Sequence, residues 1–117
     1  MASLEHLQED LAPEEVRRLL DEGAVDLIDV REPYEHEAGR IEGARHVEIP
    51  KLTAAAATMD QERPIVFYCR SGARSAMTTQ AFRASGFNAF NLTGGLLAWV
   101  DKGLPIVPEG SGTVADH

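Results

Sequence analysis

The sequence predicts an α/β domain with a mainly parallel central sheet and helices on both faces. Short apolar runs, Val25-Asp26-Leu27-Ile28-Asp29-Val30 and Ile65-Val66-Phe67-Tyr68, alternate with segments of helical periodicity. Connections between successive runs are too long for hairpins, so the strands are expected to pair in parallel through crossovers. The chain has 117 residues, 44% of them hydrophobic, enough for one core of this kind. One domain is therefore expected over residues 1–108, followed by a disordered tail at 109–117, whose small and polar side chains offer nothing to bury.

Each element has a local reason. Leu11 to Gly23 reads as a helix opened by Pro13 and two acids, lined by Val16, Leu19 and Leu20, and stopped by Gly23. Val25 to Val30 is the first buried strand, ending at Asp29 or Val30. Pro33 then starts a short helix that Gly39 ends. Ala44 to Ile49 alternates as a half-buried strand does, and Pro50 to Met59, with its alanine run, favours a helix. Asp60 to Pro64 is a polar turn before the strand Ile65–Tyr68. Ala73 to Ala84 follows as a helix whose expected buried face holds Ala76, Met77, Phe82 and Ala84, with Gly86 as the stop. Asn88 to Leu92 is a further strand, Thr93-Gly94-Gly95 a turn, and Leu96 to Val100 a last helix closed by Gly103 and Pro105, with Trp99 as a core anchor.

Net charge is −8, which argues against nucleic acid or an anionic membrane as a partner. The charge is unevenly spread. Residues 1–48 hold 14 acidic and 5 basic side chains, whereas Pro64 to Val100 contains no Asp or Glu but has Arg70, Arg74 and Arg83. The start of the chain lacks a basic segment followed by an apolar one, and no apolar stretch reaches membrane-spanning length. A single cysteine cannot form an internal disulfide, and an exposed reactive thiol is most easily kept reduced inside the cell, so the expected location is the cytoplasm.

That cysteine, Cys69, ends the strand Ile65–Tyr68 and opens the loop Cys69-Arg70-Ser71-Gly72-Ala73-Arg74-Ser75. In parallel α/β sheets ligands bind at the carboxyl ends of strands. Loop N–H groups and the next helix N-terminus converge there and favour negative charge. Two arginines add to it, so thiolate, the reactive form of cysteine, is favoured over thiol. The competing reading, a buried filler cysteine, is common for this residue type. It fits poorly with a loop of small residues carrying two arginines and no acid.

Cys69-x-x-Gly72-x-Arg74-Ser75 resembles the active-site loop of the rhodanese (thiosulfate sulfurtransferase) family. Asp29-Val30-Arg31 with Glu35, then Gly39-Arg40-Ile41-Glu42-Gly43-Ala44, resembles the N-terminal signature of that family, and Leu92-x-Gly94-Gly95-Leu96-x-x-Trp99 its C-terminal one. The resemblance spans roughly Leu11 to Leu104 and implies the single-domain form, with the rhodanese-like three-layer fold. His36, in place of an aromatic residue, and Arg40, in place of a His, depart from the pattern. The resemblance implies that Cys69 takes sulfane sulfur from a small anionic donor such as thiosulfate, becomes a persulfide, and passes the sulfur to a thiophilic acceptor, cyanide or a thiol, including a protein thiol. No cofactor is implied. His6, His36, His46 and His117 have no metal-ligand spacing, so no metal is expected either, and a monomer is the expected state.

The loop N–H groups from Arg70 through Ser71, Gly72, Ala73 and Arg74 to Ser75 are expected to cradle the sulfur or the donor's oxygens. Arg70 is the candidate for donor contact, with a solvated rim charge as its rival role. Arg74 either touches substrate or reaches back to Asp29 or Glu35 and fixes the loop. Ser75 either caps the helix or hydrogen-bonds to sulfur. Asp29 and Arg31 are expected to pair with each other, supporting the loop together with Glu35. Two other functions compete. A cysteine phosphatase or arsenate reductase would use Cys-x5-Arg, but this loop is one residue shorter and has no Asp as general acid. A non-catalytic binding or sulfur-carrier module is the other; binding modules of this type typically lack the cysteine.

Overall fold

The computed structural model describes residues 8–108. Its five strands form one sheet: β1 (Asp10–Leu11), β2 (Asp26–Asp29), β3 (Arg45–His46), β4 (Ile65–Tyr68) and β5 (Ala89–Leu92), in the order β1-β5-β4-β2-β3. Every pairing in it is parallel. The helices are α1 (Pro13–Asp21), α2 (Pro33–Ala38), α3 (Leu52–Ala56), α4 (Ala73–Ala84) and α5 (Gly95–Asp101), with a short 3-10 turn at Ile49–Lys51.

Alternation along the central strands divides the interior in two. Val66 and Tyr68 of β4 face a core closed by Val16 and Leu19 of α1 and by Leu96 and Trp99 of α5. Ile65, Phe67 and Cys69 face the opposite core, closed by Leu52 of α3 and Phe82 of α4. This is the three-layer α/β arrangement. Trp99 is buried in the first core, and its indole N–H donates to the Pro105 carbonyl at 2.8 Å. The carboxyl ends of β2 and β4 lie side by side, because Asp29 pairs in register with Tyr68. Asp29 and Cys69 therefore come to the same edge.

Four expectations need correction. β1 was not foreseen: two residues are too short to show a period, and Leu11, expected in the first helix, belongs instead to this edge strand, with α1 beginning at Pro13. The strand expected over 44–49 is only Arg45–His46, since Pro50 draws Ile49 into the 3-10 turn. The helix expected to run to Met59 stops at Ala56, where Thr58 takes the Ala55 carbonyl through both its N–H and its hydroxyl. The inner face of α4 is Ser75, Thr78, Thr79 and Phe82, while Met77 is exposed. Apolar side chains mislead here because the inward hydroxyls find partners: Thr79 donates within reach of the Ser75 and Phe90 carbonyls. The tail expected at 109–117 lies outside the described residues.

Candidate active site

The loop after β4 turns its carbonyls outward and its N–H groups inward. The first N–H groups of α5 impose this: Leu96 N–H donates to the Cys69 carbonyl at 2.9 Å and Leu97 N–H to the Arg70 carbonyl at 3.0 Å. The approach requires glycine, since a Cβ on Gly95 would lie 2.5 Å from both carbonyl oxygens. With its carbonyls held from behind, the loop presents donors to Cys69 Sγ: Gly72 N–H at 3.1 Å and Ser75 N–H at 3.4 Å. Gly72 makes this turn at φ +101°, a left-handed conformation natural to glycine, and a Cβ there would meet Gly94 N at 3.1 Å. Gly94-Gly95, read from sequence as a plain turn, is thus the backing of the Cys69 loop.

Cys69 has no exposed surface. Ser71 and Ala73 are exposed at the rim, and Arg70 is half-buried. Ser75 does not cap α4, whose N-cap is Gly72; its hydroxyl lies 3.4 Å from Cys69 Sγ and 2.6 Å from Asn91 Oδ1.

A second, charged layer stands behind the loop. Arg74 spans from α4 to α2 and places both terminal nitrogens on Glu35, at 2.8 and 3.0 Å. Glu35 also accepts the Glu32 N–H at 3.1 Å, so one buried carboxylate completes the capping box of α2 and anchors the loop. Burial pushes the Glu35 carboxyl up, but the Arg74 fork and the Glu32 N–H outweigh it and hold it below the ordinary range. Asp29 does not meet Arg74. It accepts from the Arg31 backbone N–H and Nε at 2.9 Å each, and from Nη2 at 2.7 Å, both residues being fully buried. Arg31 Nη2 also reaches the Gly39 carbonyl at 2.8 Å, tying the end of α2 to β2. Burial raises the Asp29 carboxyl as well, and Arg31 with His36 more than reverses that.

His36 and His46 enter this layer, though nothing in their spacing gave them a role. His36 Nδ1 lies 2.8 Å from Asp29 Oδ2, and a carboxylate only accepts, so that nitrogen carries the proton. His46 Nε2 donates to the Arg31 carbonyl at 2.7 Å, and the two rings stack at 4.4 Å. The aromatic position that His36 occupies is thus filled by a ring that also bonds to Asp29. Asn91 and Asp10 were missed too. A polar residue inside the buried strand Ala89-Phe90-Asn91-Leu92 was the available signal for Asn91; Asp10, on an unforeseen strand, gave none.

One cysteine, presented to backbone donors at the carboxyl edge of a parallel sheet and braced by a buried ion pair, defines an α/β domain organised around a single buried thiol. The chain belongs to the rhodanese-like family: the rhodanese-like domain profile matches residues 12–102. It is 38% identical over 96 residues to a sulfurtransferase of Allochromatium vinosum, covering 80% of this chain and 90% of that protein. It is 33% identical over 90 residues to the thiosulfate sulfurtransferase GlpE of Pseudomonas aeruginosa, covering 76% and 81% of the two chains. Some relatives are longer, and the chain spans 60% of one from Synechocystis and 25% of one from Mycobacterium tuberculosis. The fold is similar to the crystal structure of a rhodanese-related protein from Thermoplasma volcanium, with a TM-score of 0.80, 24% identity, and 87% of this chain and 100% of that one covered. Among the described residues, no helix is long and apolar enough to cross a membrane.

Proposed function

We propose that this protein is a sulfurtransferase that moves sulfane sulfur from thiosulfate, or a similar anionic donor, to cyanide or a thiol through a persulfide on Cys69. The carrying observation is the aim of the Gly72 and Ser75 N–H groups at the sulfur of the chain's one cysteine. They favour an anion at that spot without offering a proton acceptor. The Cys69 thiolate attacks the sulfane sulfur, the S–S bond of thiosulfate breaks, and sulfite leaves with the electron pair. The persulfide terminus then carries the negative charge. Cyanide attacks that outer sulfur, thiocyanate departs, and the thiolate returns, so neither half-step needs an outside oxidant or reductant.

In this reading Arg70 contacts the anionic donor and Arg74 fixes the loop, since Glu35 engages both its terminal nitrogens. That engagement also weakens the phosphatase alternative, in which the loop arginine must be free to hold phosphate. A protein thiol as acceptor and a reducing cytoplasm belong to the same proposal. Intact mass of the reduced protein after exposure to thiosulfate is the test. Gain of one sulfur atom, reversed by cyanide, is expected, with aryl phosphates left untouched. Phosphate release without sulfur uptake overturns the proposal.

A further inference from the structure

Asn91 is 4% exposed in the middle of β5, on the face covered by α4. Its Nδ2 donates to Asp10 Oδ1 at 3.0 Å, and Asp10 stands opposite it in the β1–β5 register. A carboxylate has no proton to give, so Asp10 decides which end of the amide faces outward: Nδ2 goes to Asp10 and Oδ1 turns inward. Inward lies the Ser75 hydroxyl, 2.6 Å from Oδ1, 3.3 Å from the Gly72 carbonyl and 3.4 Å from Cys69 Sγ. One hydroxyl carries one proton. The amide oxygen takes it: 2.6 Å is a close O–H···O contact and 3.3 Å to the Gly72 carbonyl is long for one, while 3.4 Å to the larger sulfur is an ordinary O–H···S separation that the closer amide outcompetes. The Ser75 oxygen therefore turns a lone pair toward the sulfur.

We infer that Asn91, aimed by Asp10, is a positioning residue that keeps the Ser75 proton off Cys69 and leaves the Gly72 and Ser75 N–H groups to bear the thiolate. The benefit is reactivity. A thiolate that gains a further hydrogen bond is more populated but a poorer nucleophile, since nucleophilicity falls as the thiol becomes more acidic. The charged groups around the sulfur are Arg74 of α4, neutralised by Glu35 of α2, and Arg70 of the loop. Asp29 and Arg31 at the end of β2 pair with each other, Tyr68 turns its hydroxyl to the Ile41 N–H, and the first turn of α5 has no titratable side chain. Asp10 acts through Asn91.

The simpler role for Asn91, a satisfied polar tie between β1, β5 and α4, differs in sign. Losing a tie loosens the loop, withdraws N–H donors and makes the thiolate harder to form; losing a proton holder frees the Ser75 hydroxyl to donate to sulfur and makes it easier. The experiment is the rate of Cys69 alkylation by iodoacetamide against pH, on the reduced full chain. Asn91→Ala is expected to lower the midpoint of that profile by about one pH unit, the size of a hydrogen bond to a charged group, and to lower the high-pH plateau rate about threefold. In Asn91→Ala/Ser75→Ala both changes should vanish. An unchanged or raised midpoint, or a shift that survives in the double variant, overturns the inference. If Asn91→Ala does not fold, Asp10→Ala decides: it releases the aim of Asn91 from an exposed position, and a folded variant with no downward shift overturns the inference equally. The inference rests on Cys69 being the reacting thiol, but its test uses no sulfur donor, so failure to take sulfur from thiosulfate and failure of this profile are separate results.

Discussion

The two polar regions in the interior are built on opposite principles. Around Cys69 the backbone donors are the Gly72 and Ser75 N–H groups, on small residues. Around Asp29 and Glu35 the donors are full charges, and each carboxylate has its own arginine at 2.7 to 2.8 Å. Paired charges cancel, so that layer stiffens the loop and has little left to offer an incoming anion. Oriented amides carry no counter-charge, so the cradle can still receive one. Support and chemistry are thereby divided between side chains and backbone, and substitutions can separate them.

The largest expected effect falls on chemistry alone. Cys69→Ser should lose sulfur uptake from thiosulfate by at least ~1000-fold, because a neutral hydroxyl neither attacks sulfane sulfur nor holds it. Its thermal unfolding should stay near that of the parent protein. Substantial turnover in the serine variant would place the reacting group elsewhere, and unfolding would return Cys69 to the role of core filler.

Arg74→Ala should do the reverse, damaging stability and both half-reactions together. It removes the Arg74 fork from Glu35, a buried carboxylate of α2, for a loss of about 2–3 kcal/mol, under the figure for a fully buried pair because Arg74 is 32% exposed. Urea unfolding gives the cost directly. A variant as stable as the parent, failing only at donor uptake, would make Arg74 a substrate ligand instead.

Much of this division was legible in the sequence, and the parts that were not share a cause. The parallel α/β class followed from runs such as Ile65–Tyr68, whose four residues are all buried. The Cys69 loop followed from residue chemistry and spacing, and Glu35 was named as one of two partners for Arg74. What spacing cannot reveal is which side chains meet across elements. Asn91 joins Asp10 to Ser75 over separations of 81 and 16 residues, and only the parallel order β1-β5-β4 brings them together. Of the four helical positions expected to face the core, Phe82 does, but Ala76, Met77 and Ala84 do not, for a related reason. On α4 the buried face is set by hydroxyls that find carbonyl partners, which a hydrophobic pattern does not register.

Acid should sharpen the contrast more gently. Asp29 and Glu35 are held below their ordinary values of 3.8 and 4.5, so the unfolded chain binds their protons more readily than the folded one. Their contribution is complete above those values and is lost as pH falls through them toward the folded pKa. Denaturation midpoints should therefore be flat near neutrality and decline below about pH 5. Arg74→Ala should flatten part of that decline, since Glu35 loses the largest cause of its depression. An acid limb identical in the two proteins would mean that Glu35 draws its low pKa from elsewhere.

The smallest effect is expected at Arg70, a half-buried residue of the Cys69 loop. Thiosulfate carries two negative charges that must approach a thiolate, and a loop cation offsets that repulsion only while the donor is intact. Once sulfite has left, the acceptor meets a singly charged persulfide and Arg70 has less to do. Arg70→Ala should therefore slow sulfur uptake by about tenfold, the range of one charge-assisted contact, and leave cyanide discharge of a preloaded persulfide within about twofold. Raising the salt concentration should shrink the first defect and spare the second, because a charge near solvent is screened. Equal defects in both half-reactions would show that Arg70 acts through the shape of the loop, as Arg74 does, and would erase the line drawn here between donor binding and support.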